Sequence, residues 1–134
     1  MKIRPFNVVT APYSDINGVS SIGLFLVLYL EEKDKEIHYS KNVMALKLTS
    51  KPLFFNKYFY LLPHQAHKFL DKESWVQISR PHILDYDKCV FIGDIQKGHR
   101  MAVYRKFLEF IFVTQQQMLD FIPVKNKEDY YNVR

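Results

Sequence analysis

The 134 residues suit one compact domain, read here as spanning the whole chain. Hydrophobic residues make up 48% and aromatics 16%, with eleven Phe and nine Tyr, which favours an aromatic-rich β core over a helical bundle. The formal charge of +5 favours polyanionic partners, while the single cysteine, Cys89, excludes an internal disulfide and fits a reducing compartment. The longest apolar run, "IGLFLVLYL" at 22–30, is too short to cross a bilayer, and no leader pattern opens the sequence, so the expectation is a cytoplasmic protein with no membrane partner.

In chain order, "FNVVTA" (6–11) alternates and predicts a first strand. "PYSDINGVSS" (12–21) has the composition of a loop. "IGLFLVLYLE" (22–31) is apolar on both faces, as a central strand covered twice would be. After the charged turn "EKDKE", residues 37–49 predict a long strand with Met44, Leu46 and Leu48 on one face and Ala45, Lys47 and Thr49 on the other. "FNKYFYLLP" (55–63) predicts an aromatic strand and 64–73 a loop with a short helical turn. Residues 74–86 predict a strand broken near Pro81, which cannot donate to a ladder, and 88–95 a last strand. From about His99 the period becomes helical, with Tyr104, Leu108, Ile111, Gln115 and Leu119 recurring at helical spacing and Phe107, Phe112 and Met118 widening the stripe. Pro123 follows the helix end, and 123–134 is a polar C-terminal tail. The fold class is therefore mainly β, a small antiparallel barrel with an appended C-terminal helix.

The stretch "ALKLTSKP" (45–52) gathers Lys47, Thr49, Ser50 and Lys51 where a strand stops at Pro52. Ammonium charge, hydroxyl donors and a backbone N–H at a strand end are the set that recognises phosphate, although a merely polar strand end has the same composition. Other candidates are weaker. His64 and His67 form an H-x-x-H pair with no acidic or cysteine partner nearby, and a solvated loop explains them better than a metal. Cys89 reads as a small hydrophobe rather than a reactive thiol. The aromatic run "FFNKYFY" could stack bases, but core packing explains it better. Neither a metal site nor a cofactor is expected.

Three stretches resemble the MazF/PemK (CcdB-like) toxins, bacterial endoribonucleases of toxin–antitoxin systems. "FNVVTAPYSDINGVSSIGLFLVLY" is similar to that family's opening strand, loop and second strand. "VMALKLTSKP" is similar to its strand ending in Thr-Ser or Thr-Thr, and "DKESWVQISRPHILDYDKCVFIGDI" to its segment with a short basic stretch and an "IG" strand. The match rests on order and spacing over roughly residues 3–120. The resemblance implies an SH3-like barrel of five to seven strands. It also implies a homodimer, single-stranded RNA as substrate, an acidic protein or RNA antitoxin, and cleavage without metal by attack of the ribose 2′-hydroxyl.

On this resemblance Thr49 matches the family's strand-end threonine and would be catalytic, with Lys47, Ser50 and Lys51 binding RNA. The family's arginine position falls on Gly23, which has neither charge nor fork. Arg80 and His82, in the family's basic stretch, are the substitutes expected to clamp phosphate or move protons; the distant ToxN-like toxins use a group resembling Thr49, Ser50 and Lys51. The alternative is a catalytically inactive module that binds nucleic acid or a partner on the same barrel. The apolar second strand predicts a homodimer joined through an exposed face carrying Phe25 and Tyr29.

Overall fold

Val9, Ala11 and Tyr13 alternate with Val8, Thr10 and Pro12 along strand β1 (Asn7–Ser14), which a computed structural model describes together with residues 2–15, 17–31, 41–52 and 56–123. β2 (Ser20–Leu30) and β3 (Asn42–Thr49) follow, then β4 (Phe59–Leu62), β5 (Ser74–Asp85), β6 (Val90–Asp94) and the helix α1 (Lys97–Leu119). All pairings are antiparallel, and the six strands form one sheet in the order β4-β5-β3-β2-β1-β6. The mainly β fold with one C-terminal helix is thus as expected. The barrel is not: β4 and β6 are free edges, and the sheet stays open. It is nevertheless strongly coiled. Three strand spacings separate β1 from β5, about 14 Å in a flat sheet, yet the rings of Tyr13 and His82 have centroids 5.9 Å apart.

Two buried clusters flank the sheet. On one side Leu26, Leu46, Leu48, Val76 and Ile78 pack with Leu62 and Leu70 under α1, which contributes Val103, Phe107 and Phe110. On the other, Val9, Ala11, Phe25, Val27, Val43 and Ala45 are sealed by Ile3 and Tyr86, whose hydroxyl accepts from the Ile3 N–H at 3.1 Å. β2 therefore lies inside the sheet with apolar side chains in both clusters. Phe25 is fully buried within the chain, which overturns the expectation that its face forms an open dimer patch; Tyr29 alone of the pair is exposed.

Three departures from the sequence reading have physical causes. β1 runs through Pro12 to Ser14, because β6 accompanies it only from Asn7 to Thr10 and a proline is tolerated on the open side beyond. Pro81 does not end β5. The strand instead shifts register against β3, so that Gln77–Arg80 stand opposite Lys47 alone between the pairs Leu46–Pro81 and Leu48–Val76. The predicted stripe of α1 meets the core only in part: Leu119 is buried and Phe107 packs against the first cluster, while Tyr104, Leu108, Ile111, Phe112 and Met118 are exposed. The helix is apolar on two sides, so periodicity could not choose between them; Phe107 and Phe110, which hide more surface per residue, face the sheet. No helix among the described residues is long and apolar enough to cross a membrane. The tail beyond Pro123 and the predicted start of the third strand at 37–40 lie outside the described residues.

Candidate functional site

Val43 and Ala45 enter the second buried cluster, and the same face of β3 then continues into Lys47 and Thr49 at the rim, where both are half-buried. Strand alternation alone directs the ammonium and the hydroxyl to one side. β2 places Phe25 opposite Lys47, and β5 places His82 opposite Ala45. Tyr13, Phe25 and His82 form an edge-to-face trio with centroids 5.5 Å (Tyr13–Phe25), 5.9 Å (Tyr13–His82) and 5.3 Å (Phe25–His82) apart. The Lys47 Nζ lies 5.0 Å from the Tyr13 ring centroid. The register shift in β5 matters here, since a bulge re-aims side chains and this one delivers Arg80 beside Lys47.

Two adjoining cavities share Tyr13 and Lys47 as walls. One, of about 360 Å³, is further lined by Gly23, Thr49, Ser50, Asp71 and Lys72. The other, of about 410 Å³, is lined by Ser14, Asp15, Arg80 and His82. Of the six residues singled out in the sequence, Lys47, Thr49, Ser50, Arg80 and His82 are brought to these walls, although β3 with the residue after it and β5 contribute them from thirty or more positions apart. Lys51 is not: it is exposed and outside both linings, and its backbone N–H donates to Thr49 Oγ1 at 3.3 Å. That bond uses the Thr49 oxygen as an acceptor and leaves its hydroxyl hydrogen to donate elsewhere.

The walls carry the cations Lys47, Lys72 and Arg80 against the carboxylates Asp15 and Asp71. The Asp15 Oδ1 already accepts the N–H groups of Asn17 and Val19, both at 2.9 Å. Burial, and then the positive charges of Lys47 and Arg80, hold His82 below its ordinary pKa, so the ring is neutral at physiological pH and can accept a proton. Neither ring nitrogen of His82 has a hydrogen-bond partner among the described residues.

Gly23 has a steric cause. A Cβ there would stand 2.9 Å from Tyr13 Cε1 and 3.2 Å from Phe25 Cε2, so the tyrosine ring fills the space that any larger side chain would need. Tyr13 was hidden in the sequence because Pro12 made its segment look like a loop, although it continues the Val9–Ala11 alternation. Lys72 and Asp71 had no local signal; folding carries their loop to the site.

The remaining candidates take structural places. His67 is fully buried, its Nδ1 bonded to the Pro63 carbonyl at 2.9 Å and its Nε2 accepting the Gln96 N–H at 3.0 Å, which fixes the Nδ1–H tautomer and ties the β4–β5 connection to the start of α1. Among the described residues no group of three or more His, Cys, Asp or Glu could hold a metal. Burial and the nearby Asp85 push the Cys89 thiol up, away from the thiolate. Of the aromatic run, Tyr58 and Tyr60 pack against the first cluster, while Phe54 and Phe55 lie outside the described residues. No family model matches this chain, and no curated protein matches it.

Proposed function

We propose that this protein is a toxin of a bacterial toxin–antitoxin system, a metal-independent endoribonuclease that cuts single-stranded RNA in the cytoplasm. The observation that supports it most is the convergence of Lys47, Thr49, Arg80 and His82 on two cavities with a shared wall. A phosphodiester seated there meets the Thr49 hydroxyl and the Lys47 ammonium, with Arg80 reaching from the opposite strand to neutralise charge that builds on the non-bridging oxygens. Neutral His82 takes the proton of the ribose 2′-hydroxyl as its oxygen attacks phosphorus. The 2′-O–P bond forms, the P–O5′ bond breaks, and the leaving 5′-oxygen takes a proton from solvent. The products are a 2′,3′-cyclic phosphate and a 5′-hydroxyl. The antitoxin is an acidic segment or an RNA that occupies the same cavities and so competes with substrate.

A second reading is favoured by Tyr13, whose ring covers Gly23 where the resembled family places its phosphate-clamping arginine. On that reading the surface binds nucleic acid or a partner without cutting. Cleavage of a long single-stranded RNA in EDTA separates the two. Wild type is expected to produce cyclic-phosphate ends, and Thr49→Ala and His82→Gln to lose at least about 100-fold in rate. Equal cleavage by wild type and Thr49→Ala would remove the site assignment; binding with no cleavage across varied RNAs would favour the inactive module.

A further inference from the structure

The outward face of α1 carries a second pattern that neither the fold nor the candidate site uses. Met101, Tyr104, Leu108, Ile111, Gln115 and Met118 follow one another at alternating steps of three and four, and Ile122 continues the series one turn on. This is a strict a/d heptad seam, the spacing that packs one helix against another rather than against a sheet. Its apolar side chains are in the open: Met101 is 53% exposed, Leu108 46% and Met118 61%, with Phe112 beside the seam at 59%, while Gln115 is half-buried. Alongside its C-terminal half lies an apolar cavity of about 400 Å³, walled by Ile111, Thr114, Gln115, Met118, Leu119 and Ile122.

We infer that this seam pairs with the α1 of a second copy of the chain, in antiparallel orientation. Charge decides the direction. All four lysines and arginines of the helix, Lys97, Arg100, Arg105 and Lys106, lie in its first half; from Phe107 to Ile122 the only charged residues are Glu109 and Asp120, and the last turn has no basic residue. Arg105 flanks the seam in the open, while the Arg100 guanidinium donates to the Ile95 carbonyl at 3.3 Å and lies over the Phe6 ring. Parallel pairing would set Arg105 against the basic half of the other helix, whereas antiparallel pairing sets it against the half without cations. The centred antiparallel register uses the whole seam: Met101 meets Met118 of the other copy, Leu108 meets Ile111, and Tyr104 meets Gln115, so the two side chains with polar ends share a layer. Met101 and Tyr104 of one copy then fall on the apolar cavity of the other. This pairing does not depend on the ribonuclease reading, and it is measured without RNA.

The experiment is light scattering on the full chain from about 1 to about 300 µM, with wild type expected to approach twice the 16.0 kDa of one chain. Leu108→Glu removes one seam side chain from each copy and should raise the dissociation constant at least about 100-fold; because Leu108 faces outward, circular dichroism of the variant should match wild type. Orientation is read by disulfide trapping in a Cys89→Ser background. Mixing Met101→Cys with Met118→Cys should give the mixed cross-link, and Met101→Cys alone should give little. A mass of one chain at every concentration overturns the proposal, as does preferential linking of Met101→Cys to itself. A full chain that remains single while a chain ended at Pro123 doubles its mass also overturns it, naming the residues after 123 as the occupant of the seam.

Discussion

Two histidines stand on opposite sides of the sheet and are treated oppositely. His67, under α1, is fully buried and both its nitrogens are bonded to backbone groups. His82, at the open end, is half-buried among rings, with two cations nearby and no hydrogen-bond partner among the described residues. The contrast extends to their neighbours. On the helix side Tyr60 bonds His99 at 2.6 Å and Lys106 caps the Lys57 carbonyl at 2.9 Å. On the open side the Lys47 Nζ lies over the Tyr13 ring, and Arg80 projects from a register shift. The helix-side groups just named are satisfied by the chain itself, although the buried Tyr58 hydroxyl and His64 Nδ1 have no hydrogen-bond partner among the described residues; those at the rim line open cavities.

The sharpest break in this contrast is His67→Ala. It empties a buried ring site and orphans the Gln96 N–H and the Pro63 carbonyl, so urea unfolding should show a loss of about 3 kcal/mol. A loss below about 1 kcal/mol would mean that His67 is not the tie between the β4–β5 connection and α1. Next comes Gly23→Arg, which forces the Tyr13 ring aside and should cost about 1–3 kcal/mol. Adding Tyr13→Ser should recover part of that, a coupling that independent sites would not show.

Lys47→Ala and Arg80→Ala should each change stability by less than about 0.5 kcal/mol. Each should nonetheless lower affinity for a single-stranded RNA and reduce the slope of log K against log salt by about 0.7. Fluorescence polarisation across a salt series measures this, and slopes unchanged from wild type would place the RNA elsewhere.

The smallest effect is the pH dependence of His82. Its folded pKa is depressed below the ordinary 6.5, first by burial and then by Lys47 and Arg80. Between the depressed value and 6.5 the unfolded chain binds more protons than the folded one, so stability falls as pH drops through this window. The difference in unfolding free energy between wild type and His82→Gln should therefore narrow or reverse below pH 6.5 and stay flat above it; a flat difference throughout would mean that the ring is not desolvated.

What the sequence could show was whatever lay within one strand. The alternation of Lys47 and Thr49 against Leu46 and Leu48 was legible because a strand has only two faces. So was the central place of β2, from its unbroken apolar run, although the burial of Phe25 within the chain itself was not. Closure was not legible: whether six strands coil into a barrel or stop open depends on twist and edge geometry that no residue pattern encodes. Nor could the sequence tell which apolar stripe of α1 meets the sheet, since both Val103–Phe107–Phe110 and Tyr104–Leu108–Ile111 have helical spacing. At the site, Tyr13 was masked by the proline before it, and Lys72 reaches the cavity only through tertiary folding.

The sheet order also sets a sequence of events. The first three strands are neighbours in the chain and can zip together locally, but β1 acquires its other neighbour only when Asn7–Thr10 pair with Val90–Asp94, over eighty residues later. Contacts of such separation slow folding, because a large loop must close before they form. During synthesis, a chain that has emerged only as far as Thr49 carries Lys47 and Thr49 but neither Arg80 nor His82. The rim is therefore completed late, when β5 docks on β3, and an unfinished copy at the ribosome lacks half of the site.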